Sequence, residues 1–297
     1  MRIVAHTDFD GLASAALVSM ATSIDDVVFT RPDTVDEVAE EGDIVVDLPY
    51  TPKASVWLDH HASQTGRVQG ITYEGELDPT APCAAVVVAR YYELAGPRVD
   101  RILELARATD QFRMELPDVR RLTFALEYRQ DSRFLLHILR LVRDEGMDAV
   151  FTDATFLKRL RRFTEEREAP TLKLLENGDC VTVCDGRIAL VDVPDRKRYS
   201  SKVAELALYE QGIDLVITVT THTDGRGRLS FGTNPDRDVP FDCSRVASAL
   251  GGGGHPYAAG ASFDPELREG TVERLKELIT EECARQGIPL PAGCLDS

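Results

Sequence analysis

Short apolar runs punctuated by helical stretches dictate most of what this chain can become. Residues 2–5 form one such run, Ile44-Val45-Val46-Asp47-Leu48 a second, and Ser55-Val56-Trp57-Leu58 a third. They are continuously apolar rather than alternating, and short, which suits strands buried on both faces. Helical stretches fall between and after them, from Leu12 to Met20, over about residues 80–95, and over about 99–111. The last places Ile102, Leu105 and Ala106 on one buried face. Strand and helix in alternation predict an α/β fold, a parallel sheet flanked by helices.

Residues 120–176 read as helical, with Leu135, Ile138, Leu139 and Val142 on one face and Phe156, Leu157, Leu160 and Phe163 on another. The charged stretch from Arg159 to Glu168 reads as a solvated helix face, and Pro170 as a kink or restart. After Asn177-Gly178 the pattern changes to a hairpin around Asp185-Gly186, a helix over 199–211, strands over 213–220 and 227–232, a glycine-rich turn at 251–254, a strand, and a helix over 265–286. The expected organisation is an α/β domain over 1–120, a helical connector over 121–178 and a smaller α/β domain over 179–297.

Charge narrows the partners. Net charge is −16 and the isoelectric point about 4.8. A long nucleic-acid backbone must be met by clustered Lys and Arg, so long duplex DNA is a poor partner. Short nucleotides remain open, because bound cations can reverse the sign of a local pocket. No apolar run is long enough to span a bilayer, and the N-terminal segment lacks a signal peptide's pattern, so the expectation is a cytoplasmic protein without membrane contact. The six cysteines form no CxxC pair and read as reduced, mostly buried thiols.

Acidic and imidazole side chains gather where the apolar runs end. In His6-Thr7-Asp8-Phe9-Asp10-Gly11 three metal-ligand types occupy alternate positions, and alternate side chains of an extended chain share a face. Gly11 allows a sharp turn into the helix. Each acid here could instead be a helix cap or turn residue. Asp47 ends the second run, at the carboxyl edge of the sheet, where open α/β folds bind ligands. Asp59-His60-His61 follows the third. Asp110 ends a helix, where a carboxylate opposes the macrodipole unless a cation answers it. Together these residues suffice for two cations sharing one carboxylate, a known clamp for phosphate-ester hydrolysis. Imidazole with carboxylate suits Mn²⁺, Zn²⁺ or Fe²⁺ better than Ca²⁺.

These segments resemble the DHH superfamily of phosphoesterases: His6 to Gly11 is similar to its first motif, Asp47 to the second, Asp59-His60-His61 to the third, and Asp110 to the fourth. Gly251-Gly252-Gly253-Gly254-His255-Pro256-Tyr257-Ala258-Ala259-Gly260 is similar to the glycine-rich motif of DHHA1 domains. The resemblance implies a catalytic DHH domain followed by a substrate-binding DHHA1 domain. It implies His6, Asp8 and Asp47 on one metal and Asp10, Asp47, His60 and Asp110 on the other. Mn²⁺ is the expected pair, with Mg²⁺ or Co²⁺ as alternatives. His61 would contact the scissile phosphate and Asp59 would orient the histidines. Gly252, Gly253, Gly254 and His255 would receive substrate phosphate through backbone N–H groups and the imidazole. Arg245 is a further candidate phosphate contact. Gly232 stands where many DHHA1 domains carry an arginine, with Arg226, Arg228 and Arg245 as candidate substitutes.

The function expected from all this is metal-dependent hydrolysis of short nucleotides: oligonucleotides of a few residues, 3′-phosphoadenosine 5′-phosphate (pAp), or dinucleotides. Polyphosphate or pyrophosphate hydrolysis and a catalytically silent nucleotide-binding regulator are the alternatives. A homodimer is compatible with the resemblance.

Overall fold

A computed structural model describes residues 1–129, 131–178, 180–195, 197–221, 226–291 and 293–295. They divide into two compact units, Met1–Phe163 and Thr164–Ser297. The helical stretch expected as a connector is shared between them, most of it in the first.

In the first unit, β1 (Ile3–His6) leads into α1 (Phe9–Thr22), then β2 (Val27–Thr30), a short α2 (Val35–Val38), β3 (Asp43–Val46), β4 (Ala54–Asp59) and β5 (Gly75–Leu77). The five strands are all parallel, in the order β2-β1-β3-β4-β5. The three apolar runs are therefore the central strands. The sequence reading omitted β2 and β5, the two edges. From β1 the chain steps outward to β2 and then returns to the other side of β1 to form β3. This reversal opens a crevice at the carboxyl ends of β1 and β3, the usual ligand position in such sheets.

Six helices complete the unit: α3 (Ala84–Tyr91), α4 (Pro97–Asp110), α5 (Pro117–Glu127), α6 (Ser132–Asp144), α7 (Met147–Thr152) and α8 (Ala154–Phe163). Helix α1 is buried from Phe9 through Ser19, because β1 lies against it on one side and α3, α4 and α6 on others. That enclosure explains its composition, Leu, Ala and Val without a polar stripe. On the other face of the sheet, Val4, Val45 and Trp57 pack with Val35, Leu48 and Val68.

The charged stretch over 159–168 is exposed at Arg161, Arg162, Glu165 and Glu166, as a solvated face requires, and departs from that at two arginines. Arg159 is half-buried: its guanidinium lies 4.0 Å from the Phe134 ring centroid and donates to the Ala125 carbonyl at 2.7 Å. Arg167 is buried and donates to the Tyr199 carbonyl at 2.8 Å. A long aliphatic stem and a planar head let arginine complete an apolar core, a possibility that charge counting overlooks.

The second unit begins with a π-helical turn, Thr164–Glu168, and α9 (Ala169–Glu176), which Pro170 opens in its first turn. Then come β6 (Val181–Cys184), β7 (Ile188–Val193), α10 (Ser201–Glu210), β8 (Leu215–Thr221), β9 (Gly227–Thr233), α11 (Cys243–Ala249), β10 (Gly253–His255), β11 (Ala258–Phe263) and α12 (Arg268–Gln286). The sheet order is β10-β11-β9-β8-β7-β6, with only the β7–β8 pair parallel. The β6–β7 hairpin turns through Asp185 and Gly186, both left-handed, as the sequence pair required. Ile217, Leu229 and Phe231 of the sheet pack on Val246 of α11 and Leu275 and Ile279 of α12.

The thiol expectation also needs correcting. Cys184, at the end of β6, is disulfide-bonded to Cys294, with Cα atoms 5.4 Å apart, which ties the C-terminal segment to the sheet. Cys83, Cys243 and Cys283 are buried thiols and Cys180 is half-buried. Among the described residues no helix is long and apolar enough to cross a membrane.

Candidate metal centre

Every ligand candidate of the first unit except Asp110 falls within a few residues of the carboxyl end of β1, β3 or β4. His6 is the last residue of β1, and Asp8 caps α1, its Oδ1 accepting from Gly11 N at 3.0 Å. The capping reading and the ligand reading of Asp8 are therefore compatible: its other oxygen, Oδ2, lies 2.9 Å from His6 Nδ1. A Cβ on Gly11 would stand 2.4 Å from the His6 carbonyl oxygen, so only glycine lets α1 start this close to β1.

Asp47 directly follows β3 and is buried, with φ at +55°. A non-glycine residue there costs about 1–3 kcal/mol, a strain that persists only where surrounding structure enforces it and that concentrates at functional sites. The turn aims the two carboxylate oxygens in different directions. Oδ2 lies 3.5 Å from His6 Nδ1, while Oδ1 lies 3.8 Å from His61 Nδ1 and 3.9 Å from His60 Nε2. Three groups of ligand atoms, each within 4.8 Å of one another, meet here: His6, Asp8 and Asp47; Asp10, Asp47 and His60; and Asp47, Asp59 and His61. Asp47 belongs to all three.

Asp10 and His60 are set from a distance. Asp10 is buried, and its oxygens accept from Ala84 N at 2.7 Å and Ala85 N at 3.0 Å, the first two amides of α3. The helix N-terminus thereby supports a carboxylate 74 residues away in sequence. His60 Nε2 lies 3.8 Å from Asp10 Oδ2, and its Nδ1 lies 3.3 Å from the Ala81 carbonyl. A proton on Nδ1 donated to that carbonyl leaves Nε2 the lone pair a metal needs. Asp59, fully buried, holds His61 Nδ1 at 2.8 Å.

The charges are mutually hostile without a cation. Burial, then the neighbouring Asp10 and Asp8, push the Asp47 carboxyl well above the usual carboxylate range. Burial, Asp10 and Asp8 do the same to Asp110. Asp10 is also raised, chiefly by burial. Burial disfavours charging His61, but Asp59, Asp47 and Asp110 outweigh it and lift its pKa to about 10. Asp110 ends α4 outside the three compact groups, yet its field couples to Asp10, Asp8, His61 and His6. Asp47 Oδ2 and Asp110 Oδ2 are buried without a hydrogen-bond partner. Buried, unbonded carboxylate oxygens among imidazoles fit a divalent cation, and more than one such cation would satisfy them all.

In the second unit the glycine segment is part of a sheet rather than a simple turn. Gly253 and Gly254 lie in β10, with Gly252 just before it. A Cβ on Gly252 would stand 2.1 Å from the Gly260 carbonyl oxygen, so that glycine serves close approach of β10 and β11, whereas the space above Gly253 is open. His255 stacks on Tyr257 with ring centroids 5.2 Å apart. Arg245 sits on α11, capped by Asp242, with its Nε 3.4 Å from Glu282 Oε2. At Gly232, an added Cβ would meet Tyr209 Oη at 2.4 Å, so α10 fills the space a side chain would take. Arg228 is exposed, its guanidinium nitrogens 3.7 and 3.8 Å from where a Cβ on Gly260 would stand.

Residues 196–281 match the family model of the DHHA1 domain. That match lies within the second unit and marks it as a DHHA1 domain. Among solved structures, the pGpG-specific phosphodiesterase PggH of Vibrio cholerae resembles it over 95% of this chain and 99% of its own, with TM-score 0.65 and 21% identity. RecJ of Thermus thermophilus, solved with Mn²⁺, covers 94% of this chain at TM-score 0.60 and 16% identity, and this chain spans 52% of RecJ. An exopolyphosphatase-related protein from Bacteroides fragilis covers 96% of this chain, with 92% of its own length matched, at TM-score 0.51 and 14% identity. No curated protein matches the sequence significantly. These structural likenesses establish the shared DHH/DHHA1 fold.

Proposed function

We propose that this chain is a two-metal phosphoesterase of the DHH/DHHA1 type that hydrolyses short nucleotides, dinucleotides foremost. One observation carries the reading: Asp47, buried and left-handed at the switch point of the sheet, faces His6 with one oxygen and His60 and His61 with the other. His6, Asp8 and Asp47 would hold one cation, and Asp10, Asp47, His60 and the nearby Asp110 the other. Mn²⁺ best suits this donor set, with Mg²⁺ or Co²⁺ as substitutes. Such cations supply an acidified water and neutralise phosphoryl oxygens.

The chain's own residues perform the rest. Ala81 fixes the His60 ring, and Asp59 fixes His61 through Nδ1. His61 would then donate from its other ring nitrogen to the phosphoryl oxygen where negative charge grows in the transition state. Gly252 N is already taken by the Ala247 carbonyl at 2.8 Å, so Gly253 and Gly254, with His255 and Arg245, would bind substrate phosphate in the second unit. The specificity of PggH for pGpG supports a dinucleotide, and a net charge of −16 disfavours long duplex DNA. The likeness to an exopolyphosphatase-related protein keeps polyphosphate as the second reading.

A panel of pGpG, pApA, pAp, polyphosphate and long duplex DNA under identical Mn²⁺, with product identification, tests this. Dinucleotides should yield 5′-mononucleotides, and pAp free phosphate. Asp47→Ala should lower kcat by about three orders of magnitude, about 4 kcal/mol in the barrier. Turnover of polyphosphate with none of any nucleotide would favour the second reading.

A further inference from the structure

The turn that carries Asp47 is tied down from two sides. We propose that Trp57 and Gln64 are positioning residues, whose hydrogen bonds hold the Asp47 carboxylate in its metal-facing orientation. The inference rests on the metal-centre reading above.

Asp47 N donates to the Leu58 carbonyl at 3.0 Å, which extends the β3–β4 ladder by one residue. From there the chain leaves the sheet through Leu48, Pro49 and Tyr50. Leu48 precedes a proline and is thereby restricted to extended conformations. Its carbonyl accepts from Trp57 Nε1 at 2.8 Å, a fully buried bond. With the Leu48 backbone restricted and its carbonyl pinned, the peptide between Asp47 and Leu48 has little freedom to rotate. The left-handed backbone of Asp47, and the direction of its carboxylate, are fixed accordingly.

The second tie comes from beyond the other metal loop. Gln64 closes the 3₁₀ turn Ala62–Gln64 that directly follows His60 and His61. Its Oε1 accepts from Tyr50 N at 3.2 Å. Gln64 is buried and the bond part-buried, so competing water reaches it only from the Tyr50 side. The segment bearing Asp47 and the segment bearing the histidine pair are thus laced together by a side chain from each direction. Trp57 is held in turn by edge-on contacts with Tyr50 and Tyr73, at centroid distances of 5.4 and 5.1 Å. Pure core packing needs an aromatic ring at position 57 but no N–H. Here the N–H reaches the backbone carbonyl next to the shared ligand.

The test is equilibrium Mn²⁺ binding, read by the electron paramagnetic resonance of free Mn²⁺, alongside thermal melting in chelator. Trp57→Phe keeps most of the ring contacts and deletes the donor. Gln64→Met keeps the volume and deletes the acceptor. Each should weaken Mn²⁺ binding about 10–100-fold, the usual effect of losing a group that orients a ligand. kcat at saturating Mn²⁺ should stay within about threefold, and Tyr73→Phe, which alters the same aromatic cluster without touching the turn, should bind Mn²⁺ like the wild type. If Trp57→Phe fails to fold, Gln64→Met decides. Unchanged Mn²⁺ affinity in the folded variants overturns the inference and leaves the metal centre standing. A wild type that binds no Mn²⁺ overturns both.

Discussion

Asp47 concentrates the chemistry and the strain of the site in one residue. Its carboxyl is raised by burial and by Asp10 and Asp8, so in the metal-free protein folding holds a proton that the unfolded chain releases. Stability from this residue therefore falls as pH rises from the unfolded value near 4 toward the raised folded value. Metal-free Asp47→Asn should melt higher than the wild type at pH 7.5, and the gain should vanish as pH approaches 4. A variant that melts lower across that range would mean the carboxylate is already well compensated without a cation. Gly11 is the second such residue. Gly11→Ala forces a methyl onto the His6 carbonyl, an overpacking that should cost about 1–3 kcal/mol and weaken Mn²⁺ binding together with it. His6, Asp8, Asp10, Asp47, Asp59, His60 and His61 were legible because side-chain types at the ends of apolar runs are visible in sequence. The amides of Ala84 and Ala85 on Asp10, and the indole of Trp57 on Leu48, were not, because a backbone partner leaves no compositional trace.

Central elements read more clearly than peripheral ones. Strands β1, β3 and β4 announce themselves because burial on both faces demands an unbroken apolar run. Strands β2 and β5 lie at the edges: Gly75-Glu76-Leu77 is short and polar, whereas Val27-Val28-Phe29-Thr30 is as long as β1 and as apolar, and was readable. The helical region resisted division for a different reason. Arg159 and Arg167 look like surface charge, but Arg159 is half-buried against Phe134 and Arg167 is buried and bonded to the Tyr199 carbonyl, and tertiary packing decides their place. The pairing of Cys184 with Cys294, separated by 110 residues, was invisible for lack of any local spacing rule. Alkylation of the denatured, unreduced protein should modify the other four cysteines and spare this pair, and modification of all six would remove the bond. Reduction should lower the melting temperature, since a cross-link closing so long a loop is worth about 4–5 kcal/mol by chain entropy.

At the scale of the whole molecule, an acidic chain is asked to bind phosphate. Net charge of −16 repels polyanions at long range, so on the proposed function affinity would come from cations held at the carboxyl edge of the first sheet. Long duplex DNA should accordingly fail to compete with a dinucleotide at moderate salt, and effective competition would place a basic surface somewhere the sequence does not suggest. The charge balance and the order of the motifs were both readable from the sequence, whereas the strand order that brings β1 and β3 side by side was not. Anomalous scattering at the manganese edge, from crystals grown with Mn²⁺, examines the arrangement as a whole. Two peaks about 3.5–4 Å apart, with Asp47 touching both, are the predicted result. A single peak away from Asp47, or no peak among His6, Asp10, Asp47 and His60, would contradict it.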